Sequence, residues 1–360
     1  MKDNKYRLFS RNLLKWNRLL NRRSMPWKGE KDPYKVWLSE IILQQTRVEQ
    51  GLDYYNNYIN KYPTIKKLAT AKDTDIYKLW EGLGYYNRCK NLISTARFIA
   101  EELDGIFPGD YESILKLKGI GPYTAAAIAS FAFGLPYAVV DGNVMRVLSR
   151  YFGIAIPTDS TEGKVYFSSR ANQLLAKHDP AAFNQAIMDF GATVCKPKNP
   201  DCTSCPMKNT CVAFQKNKTA DYPVKGKKLL KTDRWLYYIV ASYRDAFYIR
   251  KRNQKDIWQN LHEFILVESP AEIDDHSFAS GAAFQKITGN NYRFVGISEM
   301  VKQVLTHQTI RGKFIRVSFS KKIQISGYTL VKKDNIHQLA FPGFIVRYLE
   351  TENQHMLSPG

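Results

Sequence analysis

Leu117-Lys118-Gly119-Ile120-Gly121-Pro122-Tyr123-Thr124-Ala125 is the stretch that decides the fold. Glycines at 119 and 121 permit a tight hairpin with positive φ angles. Pro122 suits the first turn of a helix, and a small, apolar helix over residues 125–132 is predicted to follow. Amides exposed at such a hairpin and helix start can grip a phosphate oxygen without reading any base. Gly119, Gly121 and Lys118 are therefore the candidate phosphate contacts. A G-x-G turn alone is a weak signal and is often only a connection between helices; its weight comes from the rest of the chain.

That chain is basic. Its 360 residues hold 53 Lys and Arg against 33 Asp and Glu, a formal charge of +20. Such an excess argues for a polyanionic partner, with plain solubility as the ordinary alternative, and says nothing of fold. The length allows two domains with sizeable cores. No apolar run of ~18 residues marks a membrane span. The basic start, residues 1–16, lacks the apolar segment of a signal peptide, so a cytoplasmic protein is expected.

Downstream of the hairpin, Cys195, Cys202, Cys205 and Cys211 are spaced C-x6-C-x2-C-x5-C, and the only other cysteine is Cys89. Thiols this close in an intracellular chain point to a metal centre before disulfides. Zinc sites of four cysteines usually show two C-x-x-C knuckles, and here only Cys202 and Cys205 form one. The uneven spacing suits a [4Fe–4S] cluster, which needs one thiolate per iron. Zinc and unliganded structural cysteines remain the alternatives. Cys89 reads as a small buried hydrophobe.

The chain divides where its hydrophobic period changes. Leu38, Ile41, Val48, Leu52, Tyr55 and Ile59 recur at helical steps interrupted at Gln44-Gln45. Thr46 with Glu49 reads as a capping box for a new helix. Phe183, Ile187, Phe190 and Val194 form a second stripe that runs into Cys195. Gly105, Pro108-Gly109 and Gly153 are helix-stop signals. Residues 219–233 are polar, basic and unpatterned, as a linker is. Beyond them the period is two: Ile315, Val317 and Phe319 alternate with Arg316, Ser318 and Ser320. Residues 236–241 and 264–267 are further strands, and 344–349 a closing helix.

The hairpin ahead of a small-residue helix, Val140-Asp141-Gly142-Asn143-Val144 and the cysteine loop together resemble the endonuclease III or helix-hairpin-helix superfamily of DNA glycosylases. Pro26-Trp27, Trp37-Leu38-Ser39-Glu40, Leu43-Gln44-Gln45-Thr46 and Gly82-Leu83-Gly84-Tyr85-Tyr86 narrow the likeness to adenine DNA glycosylases of the MutY type. The match is dense over about residues 8–215 and loose beyond. It implies a mainly α catalytic region over 1–218, including the iron–sulfur loop 195–211, and a linker over 219–233. An α+β, Nudix-like domain over 234–360 completes it. No R-E-x-x-E-E run follows Gly281, so Nudix hydrolysis is not expected. The implied function is excision of adenine opposite 8-oxoguanine or guanine in duplex DNA, by a monomer.

Cleaving a purine N-glycosidic bond needs a proton for the leaving base and an anion for the sugar cation, a task for two carboxylates in unlike settings. Glu40 lies among Trp37, Leu38, Ile41, Ile42 and Leu43, an apolar setting that raises a carboxyl pKa; a solvated helix glutamate is the ordinary alternative. Asp141 is the candidate anion and also reads as a helix N-cap. The resemblance implies that Asp141 shields the sugar cation, that Glu40 also activates water and that Asn143 orients both. Tyr123 stands where lyase relatives carry a Schiff-base lysine, so a monofunctional enzyme is implied. By the same resemblance Trp27, Leu43 and Gln185 line the adenine pocket, and Gln45 and Tyr85 enter the stack around 8-oxoguanine. Thr306 and His307 then read that lesion, with Leu305 in place of the family's aromatic ring. Arg88, Lys90, Arg146 and Arg150 are read as phosphate-side cations or solvated faces, and Lys196, Lys198 and Lys208 as phosphate-facing cations of the cysteine loop. The competing functions are an oxidised-pyrimidine glycosylase with lyase activity and a non-catalytic DNA-binding module.

Overall fold

The computed structural model describes residues 2–226 and 231–357; residues 227–230 of the expected linker and 358–360 of the expected C-terminal domain lie outside the described residues. Twelve α-helices precede the first strand among the described residues. They are α1 Lys2–Leu19, α2 Pro33–Leu43, α3 Val48–Lys61, α4 Ile65–Ala69, α5 Asp73–Trp80, α6 Asn87–Glu102, α7 Tyr111–Lys116, α8 Pro122–Phe131, α9 Gly142–Phe152, α10 Thr161–Leu174, α11 Pro180–Thr193 and α12 Val212–Gln215. The chain forms two compact units whose division does not follow chain order: Met1–Ala69 with Ser94–Lys228, and Thr70–Ile93 with Leu229–Gly360.

The first unit is helix on helix. Phe9, Leu13 and Trp16 of α1 pack with Val144, Val147 and Tyr151 of α9 and with Phe167, Phe183 and Phe190 of α10 and α11, all buried. Spacings of three and four put these side chains on one stripe per helix. Helices break where the sequence places its signals. Gly153 closes α9 in the left-handed conformation at φ 71°, which a residue with a Cβ adopts at a cost. At Gln44-Gln45, α2 does end and a new helix begins. The cap is not Thr46, however. Arg47 occupies that position without a side-chain hydrogen bond, and α3 starts at Val48. Residues 219–226 are not a loose linker either. Thr219 and Tyr222 carbonyls accept from Arg150, and the Gly226 amide donates to Asp159 Oδ1 at 2.7 Å.

The second unit is an α+β domain on a nine-stranded mixed sheet. Its strands are β1 Thr232–Tyr243, β2 Ala246–Lys251, β3 His262–Glu263, β4 Ile265–Ser269, β5 Tyr292–Ile297, β6 Val301–Val304, β7 Gln308–Gly312, β8 Phe314–Phe319 and β9 Thr329–Lys332. The central strand β1 pairs antiparallel with β2 and β4 and parallel with β7 and β8. Alternation then sends Tyr237, Ile239 and Ala241 to one core, while Tyr238 stacks on Phe314 at 5.4 Å on the other face. Where β7 hands over to β8, a Cβ on Gly312 would stand 1.7 Å from the Leu236 carbonyl oxygen, so only glycine fits. The helices are α13 Asp275–Ser280, α14 Ala282–Thr288 and α15 Gly343–Leu357. Residues 258–261 form a turn with Trp258 and Asn260 at φ 62° and 72°. The segment 70–93 is bound into this unit: Asn260 Nδ2 donates to Tyr77 Oη at 2.9 Å, and the Phe341 amide to Glu81 Oε1 at 2.7 Å.

Candidate active site

Three helices of the first unit bring the predicted acid and anion together. Glu40 sits on α2 where the helix is buried all round, from Val36 to Ile42, and is itself 6% exposed. Tyr123 is the second residue of α8, and Asp141 caps α9. The Tyr123 hydroxyl donates to the Glu40 carboxylate, and the Asp141 charge is felt by both groups. Burial pushes the Glu40 carboxyl up to about 7, with the Tyr123 hydrogen bond opposing and Asp141 adding to the rise. Burial raises Tyr123 well above the ordinary phenol. Burial also raises Asp141, opposed by its bonds from Val144 and Asn143 and by the Arg146 charge. The two carboxyls therefore differ in kind. Asp141 accepts from the Val144 amide and Asn143 Nδ2, each at 2.7 Å, whereas among the described residues Glu40 has only the phenol.

Buried polar groups set the Asp141 segment in place. Asn184 on α11 is fully buried; its Oδ1 accepts from the Val139 amide at 3.1 Å, and its Nδ2 donates to the Tyr137 carbonyl and Ser130 Oγ. Helix α11 meets the start of α9 so closely that a Cβ on Gly191 would lie 2.7 Å from that of Asn143. The hairpin before α8 follows its prediction in part. Gly119 has φ 80°, but Gly121 is extended at φ −102° and needs no left-handed backbone. A Cβ on Gly121 would meet nothing within 4 Å, and no side chain caps α8 there. Lys118 is exposed, its carbonyl taken by Thr95 Oγ1.

The expected adenine-pocket residues also lie in this unit. Trp27 meets Tyr55 edge-on at 5.2 Å, and Leu43 ends α2. Gln45, just beyond it, is exposed with φ 56°. Gln185 Nε2 donates at 3.0 Å to Asp189, one turn on in α11. Asp189 is a residue that the sequence reading missed. It is fully buried and also receives Asn21, Arg23 and Lys28. A charged residue one turn from Gln185, inside the stripe Phe183, Ile187 and Phe190, was the signal for it.

The four cysteines line one pocket with Arg150 and Tyr151. Among the described residues, no group of three or more His, Cys, Asp and Glu is spaced to hold a single metal ion. Burial raises the thiols of Cys202, Cys205 and Cys211, that of Cys205 to about 12, and neighbouring cysteines add to each rise. Thiols that repel one another as anions are a donor set for a cationic centre, whose charge reverses that balance. Backbone and guanidinium N–H groups already reach the sulfurs: Met207 N to Cys205 Sγ at 3.4 Å and Arg150 Nη1 to Cys195 Sγ at 3.5 Å. The residues thus fit a four-thiolate cluster. Arg146 and Arg150 are neither phosphate cations nor solvated. They are 7% and 3% exposed, and their guanidinium groups donate to the carbonyls of Cys195, Gly191, Lys196 and Pro197. Arg146 Nη2 also donates to Asn143 Oδ1 at 2.8 Å, which ties the loop to the Asp141 side chain. Lys196 and Lys198 are exposed, while Lys208 is turned onto the Thr203 carbonyl.

In the second unit, Thr306 and exposed His307 form the turn between β6 and β7. The Tyr85 hydroxyl lies 2.6 Å from Thr306 Oγ1, with Tyr85 at φ 49° and 46% exposed. Tyr85 is therefore not a core aromatic. Arg88 stacks over the rings of Trp80 and Tyr85, and Lys90 donates to Gln259.

A hairpin opening onto a small-residue helix, beside a protonatable carboxyl and a capped anion, defines a class: residues 38–168 match the HhH-GPD superfamily of base excision DNA repair proteins. Solved structures agree in fold. A thermostable thymine-DNA glycosylase aligns at TM-score 0.56 and 30% identity over 60% of this chain and 99% of that one. An endonuclease III–DNA complex aligns at TM-score 0.52 and 21% identity, which shows the fold alone. Within the class, the adenine DNA glycosylase of Buchnera aphidicola (Schizaphis graminum) is 33% identical over 351 residues, 95% of this chain and 98% of that protein. The human adenine DNA glycosylase is 42% identical over 217 residues, 58% of this chain and 40% of its own. The chain belongs to the adenine DNA glycosylases, N-glycosylases of base excision repair.

Proposed function

We propose that this enzyme hydrolyses the N-glycosidic bond of adenine opposite 8-oxoguanine or guanine, on a base flipped from the duplex, and leaves the DNA backbone intact. The observation that carries the reading is the Glu40 carboxyl buried beside Tyr123 and Asp141, a setting whose desolvation raises it to about 7. At neutral pH a substantial fraction of Glu40 holds its proton. Glu40 donates that proton to adenine N7 as the bond between C1′ and N9 breaks and its electron pair leaves with the base. Asp141, held by Val144 and Asn143, faces the oxocarbenium-like sugar as the anion. Water then adds to C1′ and returns its proton to the Glu40 carboxylate. Tyr123 has no amine to trap the sugar, so no Schiff base forms and no lyase step follows. Flipping a base costs a few kcal/mol of stacking; Trp27, Leu43 and Gln185 of the first unit receive the flipped base, and Gln45 of that unit enters the stack. Tyr85, Thr306 and His307 are the second unit's contacts with the opposite base.

Backbone amides at the hairpin hold phosphates without sequence preference. Cys195, Cys202, Cys205 and Cys211 hold a [4Fe–4S] cluster that stiffens the loop carrying Lys196 and Lys198. The test uses duplexes containing adenine opposite 8-oxoguanine, adenine opposite guanine, or thymine glycol. Strand breaks from the first two only after alkali are expected. Breaks without alkali would replace this reading with a lyase.

A further inference from the structure

Gln185 offers the adenine pocket either a carbonyl or an amino group, depending on how its amide is turned. The two ends of an amide are nearly alike in shape, so its neighbour decides the choice. Asp189 lies four residues on along α11, fully buried, with Arg23 Nη1 at 3.0 Å from Oδ1 and Lys28 Nζ at 3.0 Å from Oδ2. A carboxylate paired with two cations accepts hydrogen bonds and donates none. The atom that Gln185 places 3.0 Å from Asp189 Oδ1 is therefore nitrogen. Asn21 Nδ2, at 2.8 Å from Oδ2, brings the donors on this carboxylate to four, one for each of its lone-pair directions. Gln185 Oε1 accepts from none of the described residues.

We infer that Asp189 is a positioning residue that locks the Gln185 amide with its carbonyl toward the bound base, so that the pocket selects an exocyclic amino group. This rests on the reading of Gln185 as a pocket residue. The 6-amino group of adenine donates to such a carbonyl. The 6-oxo group of hypoxanthine, nearly the same size, opposes it lone pair to lone pair. Sites built to pair with a donor reject analogues that lack it far more strongly than apolar pockets sort by shape.

The experiment is single-turnover base release from duplexes with adenine or hypoxanthine opposite 8-oxoguanine, for wild type, Gln185→Ala and Asp189→Asn. Asp189→Asn turns one of the two acceptors into a donor: nitrogen in the Oδ1 place would face Gln185 and Arg23 together, and in the Oδ2 place Lys28 and Asn21, so the four-donor clamp that fixes the Gln185 amide is lost either way. The ratio of adenine to hypoxanthine rates is expected to fall at least tenfold, with hypoxanthine release faster than in wild type. General destabilisation lowers both rates and leaves the ratio alone. If Asp189→Asn unfolds at the assay temperature, Arg23→Gln with Asp189→Asn removes a cation with the anion and is read on the same ratio. A wild-type ratio in the Asp189 variant, with a reduced one in Gln185→Ala, overturns the positioning role. A wild-type ratio in Gln185→Ala overturns the pocket reading beneath it, and with it the inference. No adenine release from the wild type overturns the function itself.

Discussion

Each unit buries a glutamate, and the two are treated in opposite ways. Glu263, on β3 and 1% exposed, is clamped by Arg252 and by Arg250 Nη2 at 2.8 Å, with Tyr238 Oη at 3.4 Å. Glu40, 6% exposed, has a phenol and a second carboxylate for company. A buried carboxylate answered by cations is a structural joint. One left without a cation must share or hold a proton, and that is the state an acid catalyst needs. Asp189, with Arg23 and Lys28, follows Glu263 although it also holds the Gln185 amide. Charge pairing, more than position, separates the carboxyl proposed to move protons from those that hold side chains still.

The largest effect expected from this contrast is at Glu40. Glu40→Gln removes the proton and little else, so single-turnover adenine release should fall about a thousandfold while duplex binding in gel-shift titration stays intact. A loss under tenfold would erase the distinction between the two glutamates. Glu263→Gln should do the reverse: the second unit loses about 3 kcal/mol by leaving Arg252 uncompensated, seen as an earlier urea transition. The intrinsic rate of the folded fraction should remain.

The pH dependence sharpens the contrast further. Because the folded Glu40 carboxyl sits at about 7, above the 4.5 of a free glutamate, its protonated form favours the native state. That contribution is complete below pH 4.5 and is lost as pH rises through about 7. Wild type should therefore lose about 3 kcal/mol relative to Glu40→Gln between these limits in parallel denaturant titrations. Base release should fall over the same upper range, about tenfold per pH unit once the acid is ionised. The smallest effect is expected at Tyr85→Phe. It removes one hydroxyl pair with Thr306 and should weaken binding of the lesion duplex by about 1 kcal/mol, measured by fluorescence anisotropy.

Residues close in sequence were legible, because one local rule governs each. The α2 break at Gln44-Gln45, the αL stop at Gly153, the Pro122 start of α8 and the alternation of β8 all follow from backbone preferences and period. The Glu40 environment was readable for the same reason: its own helix supplies the apolar neighbours. Thr46 misled because a capping pattern competes with its neighbours, and the chain capped one residue later. Arg146 and Arg150 misled more deeply. Their exposure depended on where residues 191–197 and 219–222 returned to meet α9.

By itself, then, the sequence determined the elements, the identity of the paired carboxylates and the thiol set, since propensity, spacing and side-chain chemistry are properties of short stretches. Only the tertiary structure decided what surrounds those groups. Desolvation of Glu40, the four donors on Asp189 and the segment 70–93 bound to the sheet unit each join residues far apart in the chain. The energy of a buried charge is set by whatever surrounds it in space.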